Sequence, residues 1–226
     1  MQRFNIFNQI HKGLRALLFD TSLCLQQTDF TNEVEAEDAL NRVRETVLLF
    51  DEHAHKEDLF VLPAIAAFEP SVVDCFEKEH EKDIALSNAL TAAAETFFLL
   101  TTDNQRITAG RELMLSYTEF MIFNLQHMAK EEDLINTLLW RYFSDEDIQQ
   151  IQHEIVMATT PWLNDFYSKW MLRGINTPEA THWLQAVQAT APQIVFQTLY
   201  SKAETELPMQ RFQKVASSLS EGALAC

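Results

Sequence analysis

Glycine and proline are scarce in this chain. Four Gly and six Pro occur in 226 residues, about 4% where average usage gives roughly 12%. A β-sandwich or barrel needs turn residues at intervals of about 8–12 positions, so an all-β fold is excluded as a working reading. The shortage of Gly also argues against a phosphate-cradling loop or a dinucleotide fold, and no G-x-G-x-x-G or G-K-[ST] string occurs. Positive charge is short as well: 17 Lys and Arg stand against 33 Asp and Glu, a net charge of −16. That balance disfavours nucleic acid and anionic membranes as partners. No apolar run approaches the ~20 residues that a bilayer span requires. The first residues, Met1-Gln-Arg-Phe-Asn-Ile-Phe-Asn-Gln, carry no signal-peptide h-region. Three Cys (Cys24, Cys75 and Cys226) show no metal-type spacing, which fits free thiols in a reducing cytoplasm. Cys24 and Cys75 are read as buried fillers, and the position of Cys226 at the last residue does not suit a prenylation signal.

What is present is helical periodicity. A first helix is predicted over about 5–27, with Ile6, Ile10, Leu14, Leu17, Leu18 and Leu25 at three- and four-residue steps. After a turn at 28–32, a second carries Leu40, Val43, Val47 and Phe50 onward to Phe60, and Pro63 is expected to kink or close it. Ser71 is the expected N-cap of a third helix over about 72–99. A break at 101–104 precedes a fourth that reaches about Trp140. Four long helices with short connections predict an all-α, up-down-up-down four-helix bundle over residues 1–142. Ser144-Asp-Glu-Asp147 approximates a capping box. It opens a C-terminal helical extension, residues 143–226, with helices at about 145–172, 178–189, 191–205 and 208–220. Four of the six Pro fall in that region. The extension is expected to cover the bundle, or to serve a homodimer or a protein partner.

The chemistry lies in the histidines. On the fourth helix Leu113, Tyr117, Phe120, Asn124, His127, Glu131 and Leu134 follow steps of three and four, placing His127 and Glu131 on the apolar stripe. On the second, Val43, Val47, Phe50, His53, Glu57 and Phe60 do the same. On the third, Val73, Phe76, His80 and Ile84 share a face, and the strict pattern stops at the polar Ser87. On the first, His11 lies among Ile10, Leu14 and Leu18. Each helix thus turns one His inward, and two add a Glu one turn later. An ionised carboxylate inside a bundle costs several kcal/mol unless it is paired or bound to metal. His11, His53, Glu57, His80, His127 and Glu131 are too many ligands for one tetrahedral zinc. They suit two five- or six-coordinate irons with a bridging oxygen and open positions. His55 points elsewhere, and His153 and His182 fall outside the bundle; all three are read as structural or surface groups.

These residues resemble the hemerythrin-like, or HHE cation-binding, family. His53-Ala-His-Lys-Glu57-Asp-Leu-Phe-Val-Leu-Pro63 resembles the family's H-x-x-x-E-E-x-x-x-x-P signature, with Asp58 as the second acid. Glu79-His80 resembles its third-helix E-H, His127-Met-Ala-Lys-Glu131-Glu132 its fourth-helix H-x-x-x-E-E, and His11 its first-helix His. The resemblance implies a non-haem di-iron centre, oxo- or hydroxo-bridged, spanned by Glu57 and Glu131 with His11, His53, His80 and His127 as terminal ligands. Oxygen carriers of the family have H-x-x-x-H on the third helix, whereas Phe76 and Ile84 flank His80 here. The chain is therefore more similar to the branch with iron-sensing and nitrosative-stress members.

Two functions are expected on this basis. One is a protein that binds or senses O2, NO, peroxide or iron through open coordination positions. The other is a di-iron enzyme, an oxidase, peroxidase or nitric oxide-handling protein, which would need a proton donor near the irons; Tyr117 lies within reach on spacing, but a Tyr on that stripe is read first as core. A third reading, a metal-free helical interaction module, is separated from both by metal analysis. A ferritin-like centre would need two E-x-x-H pairs, and only Glu77-Lys-Glu79-His80 supplies one.

Overall fold

The structure is a computed structural model that describes residues 3–224. Cys226 lies outside the described residues. Every regular element among them is helical, as the scarcity of Gly and Pro predicts. α1 spans Asn8–Gln27 and α2 Glu33–Lys56. A π-helical segment, Glu57–Val61, then runs directly into α3, Leu62–Ala66. α4 spans Pro70–Thr96 and closes in a 3-10 turn, Phe97–Leu99. α5 spans Asp103–Lys130, passes through a second π-helical segment, Glu131–Ile135, and continues as α6, Asn136–Tyr142. α7 to α11 lie at Asp145–Ala158, Pro161–Gly174, Thr177–Thr190, Gln193–Glu206 and Met209–Leu224.

Local chemistry explains the boundaries. Asn32 caps α2 by accepting from the amides of Val34 and Glu35. Thr102 opens α5, and Ser144 opens α7, each through a reciprocal capping box. Three expectations are corrected. α4 starts one residue before Ser71: Pro70 occupies the first turn, where its missing amide hydrogen costs nothing, and Glu69 is the N-cap. Pro63 falls in the turn that follows the π segment, and the helix continues past it to Ala66. The helix expected over 145–172 is two helices, because Pro161 starts a new first turn after Thr159 and Thr160.

The chain divides into two compact units. The first comprises Leu17–Thr160 with the residues up to Asn8. In it α4 packs on α2 and α5, and buried Phe50 and Phe120 meet edge-to-face at 5.4 Å. An apolar cluster gathers Val61, Leu62, Ile65, Ile135, Leu138 and Leu139, residues of and just after the two π segments, with Ile148 of α7. Thr21 and Thr46 share a buried hydroxyl–hydroxyl hydrogen bond of 2.9 Å. Tyr117 is fully buried and donates its phenolic hydrogen to the Leu18 carbonyl at 3.1 Å, which commits its hydroxyl to the core.

The second unit comprises Gln9–Ala16 with the chain from Pro161. Leu172, Leu184, Leu199, Leu207 and Val215 build its core. Arg173 pairs with Glu206 at 2.6 Å, and Lys12 pairs with Glu179. Here the rare glycines have a use. A Cβ on Gly174 would stand 2.2 Å from the Lys12 carbonyl oxygen, and one on Gly13 would stand 2.8 Å from the Met171 amide. Both neighbours are backbone and cannot rotate away. Gly174→Ala is expected to destabilise this unit by about 1–3 kcal/mol or more through overpacking. Urea denaturation checks this; an unchanged midpoint would refute it.

The free thiols differ from expectation. Cys24 is half-buried and Cys75 is exposed, so neither fills a core. Among the described residues, no helix is long and apolar enough to cross a membrane.

Candidate metal centre

His53 and Glu57 lie one turn apart at the end of α2, and His127 and Glu131 lie one turn apart at the end of α5. His80 is on α4 between them. His80, Glu57, His127 and Glu131 are each at most 5% exposed. Their donor atoms fall within 4.8 Å of one another, a group that could hold a metal ion. His53 Nε2 is 3.2 Å from Glu57 Oε1. His127 Nε2 is 3.0 Å from Glu131 Oε1. His80 Nε2 stands 3.5 Å from Glu57 Oε2 and 3.9 Å from Glu131 Oε1. His11, on α1, is completely buried. His55, His153 and His182 are exposed.

The two imidazoles on α4 and α5 are held from behind. His80 Nδ1 is 2.6 Å from Asp58 Oδ1, and His127 Nδ1 is 2.8 Å from Glu79 Oε2. A carboxylate only accepts, so each Nδ1 carries the hydrogen. Each Nε2 therefore faces inward, and the two are 3.1 Å apart. Two lone pairs at that separation repel, so the arrangement calls for a cation among them, either a proton or a metal ion. Neutral imidazole nitrogens beside carboxylate oxygens are a donor set suited to iron or a similar divalent ion. The residues present fit such a group.

Electrostatics give the same answer. Burial pushes the His80 imidazolium pKa down, but hydrogen bonds to Asp58, Glu131 and Glu57 outweigh it and raise the value to about 12. Burial likewise opposes His127, and Glu131, Glu57 and Glu79 raise it to about 9. Without metal, protons supply the positive charge this carboxylate cage demands.

One turn away lies a polar layer of which the apolar pattern reveals only Asn124. Asp83 and Ser87 of α4 and Asn124 of α5 are all buried, whereas Ile84, expected on the inward face, is 50% exposed. Asn124 Nδ2 donates to Asp83 Oδ1 at 2.6 Å. Burial pushes Asp83 up to about 6, with nearby Asp51 adding to it against the Asn124 hydrogen bond. The signal is in the spacing: 80, 83, 87 and 90 are a regular helical face once polar side chains are admitted to it.

Both π segments begin at a glutamate of the cluster. The Leu62 amide bonds to the Glu57 carbonyl, and the Asn136 amide to the Glu131 carbonyl, each spanning five residues. The wider turn moves the inward face by one position. Val61 and Ile135 are buried at 1% exposure, while Phe60 is only partly covered and Leu134 is 41% exposed. The expected stripe positions Phe60 and Leu134 are thereby corrected. Single π turns inside α-helices are frequent at functional sites.

With this geometry in place, comparison with known proteins is decisive at the level of family. The chain matches the model of the hemerythrin HHE cation-binding domain over residues 3–139 and belongs to that family. No curated protein and no solved structure matches it.

Proposed function

We propose that residues 1–142 form an up-down-up-down bundle of hemerythrin type that holds two iron ions, oxo- or hydroxo-bridged, in a cytoplasmic protein. On this reading the protein binds or senses O2, NO, peroxide or iron itself, and residues 143–226 carry the response to a second copy or a protein partner. The observation that carries it is the convergence of Glu57, His80, His127 and Glu131 in a buried group of donor atoms. His53 forms a second group of potential donors with the same two glutamates. On this reading His53 would hold one ion, His80 and His127 the other, and Glu57 and Glu131 both, with His11 kept as the terminal ligand that the family resemblance implies. Bound iron would supply redox and ligand-binding chemistry at coordination positions the protein leaves open.

The chain's own contribution is positional. Burial excludes bulk water, and the two carboxylates offset the charge of the ions. Phe76 and Phe123 flank the His127 ring at 5.5 and 5.9 Å and limit its rotation. The test is the metal content of protein purified without chelator, then optical spectra of the iron-loaded protein under O2 and under NO. Two irons per chain with a reversible spectral response to one gas are expected. Metal-free protein that cannot be loaded would sink the reading. Steady turnover of peroxide or NO would replace sensing by catalysis at the same centre.

A further inference from the structure

Glu79 is not among the metal-ligating groups, yet it touches two residues of the facing helix at once. Its Oε2 takes the His127 Nδ1 hydrogen at 2.8 Å, and its Oε1 takes Lys130 at 2.5 Å. His127 and Lys130 are three residues apart, on adjoining positions of α5. The carboxylate therefore grips α5 at the ring that faces Glu131 and at the turn that leads into the second π segment. Its side chain is 18% exposed, so water competes weakly for it.

An imidazole without such a partner can turn over and present a carbon, or the wrong nitrogen, to its neighbours. A carboxylate behind Nδ1 fixes both tautomer and ring orientation, and makes Nε2 a better donor. Asp58 does the same for His80 at 2.6 Å, but its side chain is 41% exposed, so solvent weakens that brace. The braces run between helices: one from the segment after α2 to α4, the next from α4 to α5.

We propose that Glu79 is a positioning residue of the metal centre: it locks His127 with Nε2 inward and so sets the affinity of one ion, with Asp58 as its weaker counterpart on His80. This rests on the metal-binding reading above and adds residues outside the ligand set.

The test uses cobalt(II) as the probe, on the full chain. Glu79→Ala is expected to weaken the cobalt ion on the His127 side by about 10–100-fold and to alter its visible spectrum. Glu79→Gln retains an acceptor oxygen and should recover part of both. Asp58→Ala should cost less than Glu79→Ala. Lys130→Ala removes only the exposed ion pair and should leave affinity and spectrum unchanged. If Glu79→Ala binds cobalt with the native affinity and spectrum, the proposal fails. It also fails if Lys130→Ala loses as much as Glu79→Ala, because Glu79 would then act by joining helices and not through the imidazole. Should Glu79→Ala not fold, Glu79→Gln and Lys130→Ala decide it by the same criteria. A native protein that binds no cobalt overturns the metal reading itself, a separate outcome.

Discussion

Glu57→Ala is expected to lose both metal ions, and Glu131→Ala to do the same, whereas His53→Ala should keep one. The difference comes from sharing. Glu57 and Glu131 belong to both donor sets, while His53 belongs to one. Removing a shared carboxylate takes an oxygen from each set and also removes a negative charge that holds the cations in a buried place. Fully retained second-site binding in His53→Ala is expected because His80, His127 and both glutamates stay in position. Metal analysis after desalting reads the stoichiometry directly. Stability supplies a second measurement. A metal that binds only the folded state raises apparent stability by about 4 kcal/mol at a thousandfold excess over its dissociation constant. Iron(II) under anaerobic conditions should therefore raise the melting temperature of the native protein and leave that of Glu57→Ala unmoved. Two ions per chain retained in Glu57→Ala would remove that residue from the centre.

Much of this site is legible in the sequence, for a physical reason. A buried ligand must lie on the same face as the core, so ordinary helical spacing exposes His53, Glu57, His80, His127 and Glu131 as polar residues on an apolar stripe. Four of the five are buried and His53 is half-buried, as that spacing predicts for an inward face. The π turns that begin at the two glutamates are not legible. Phe60, Val61 and Leu62 are all apolar, as are Leu134 and Ile135, so the pattern is satisfied whether the turn is α or π. The extra residue in each turn leaves no mark on hydrophobicity. The polar layer is hidden for a related reason: Ser87 looks like the end of a face, when Asp83 and Asn124 satisfy each other beside it. The braces are hidden too. Glu79 and Asp58 stand in the family motifs, but a hydrogen bond between helices cannot be seen in the spacing along one of them. The segment Gln9–Ala16, which carries His11, counts with the second unit, although α1 is continuous. Sequence order alone does not reveal such a division within a helix.

Metal affinity is expected to climb steeply with pH, by about a hundredfold between about pH 7 and about pH 8. In the metal-free protein the carboxylates hold protons on His80 and His127, whose values reach about 12 and about 9. A metal ion needs the Nε2 lone pairs, so binding must expel those protons. Each expelled proton makes the apparent affinity tenfold tighter per pH unit, and two make it about a hundredfold. Once pH passes about 9, His127 gives up its proton unaided, and the slope should halve on the logarithmic scale. Stability of the metal-free protein should run the other way. Both folded values lie above the ordinary 6.5 of a histidine. The stabilisation from the charged imidazoles is then complete below that value and is lost as pH rises through about 9 and then about 12. Raising the pH thus weakens the apo-protein while it strengthens metal binding, and the metal contributes most to stability on the alkaline side. Cobalt(II) titrations against a competing chelator measure the first slope, and denaturation of metal-free protein across the same buffers measures the second. A dissociation constant unchanged over this range would mean that His80 and His127 do not carry the protons that the metal replaces.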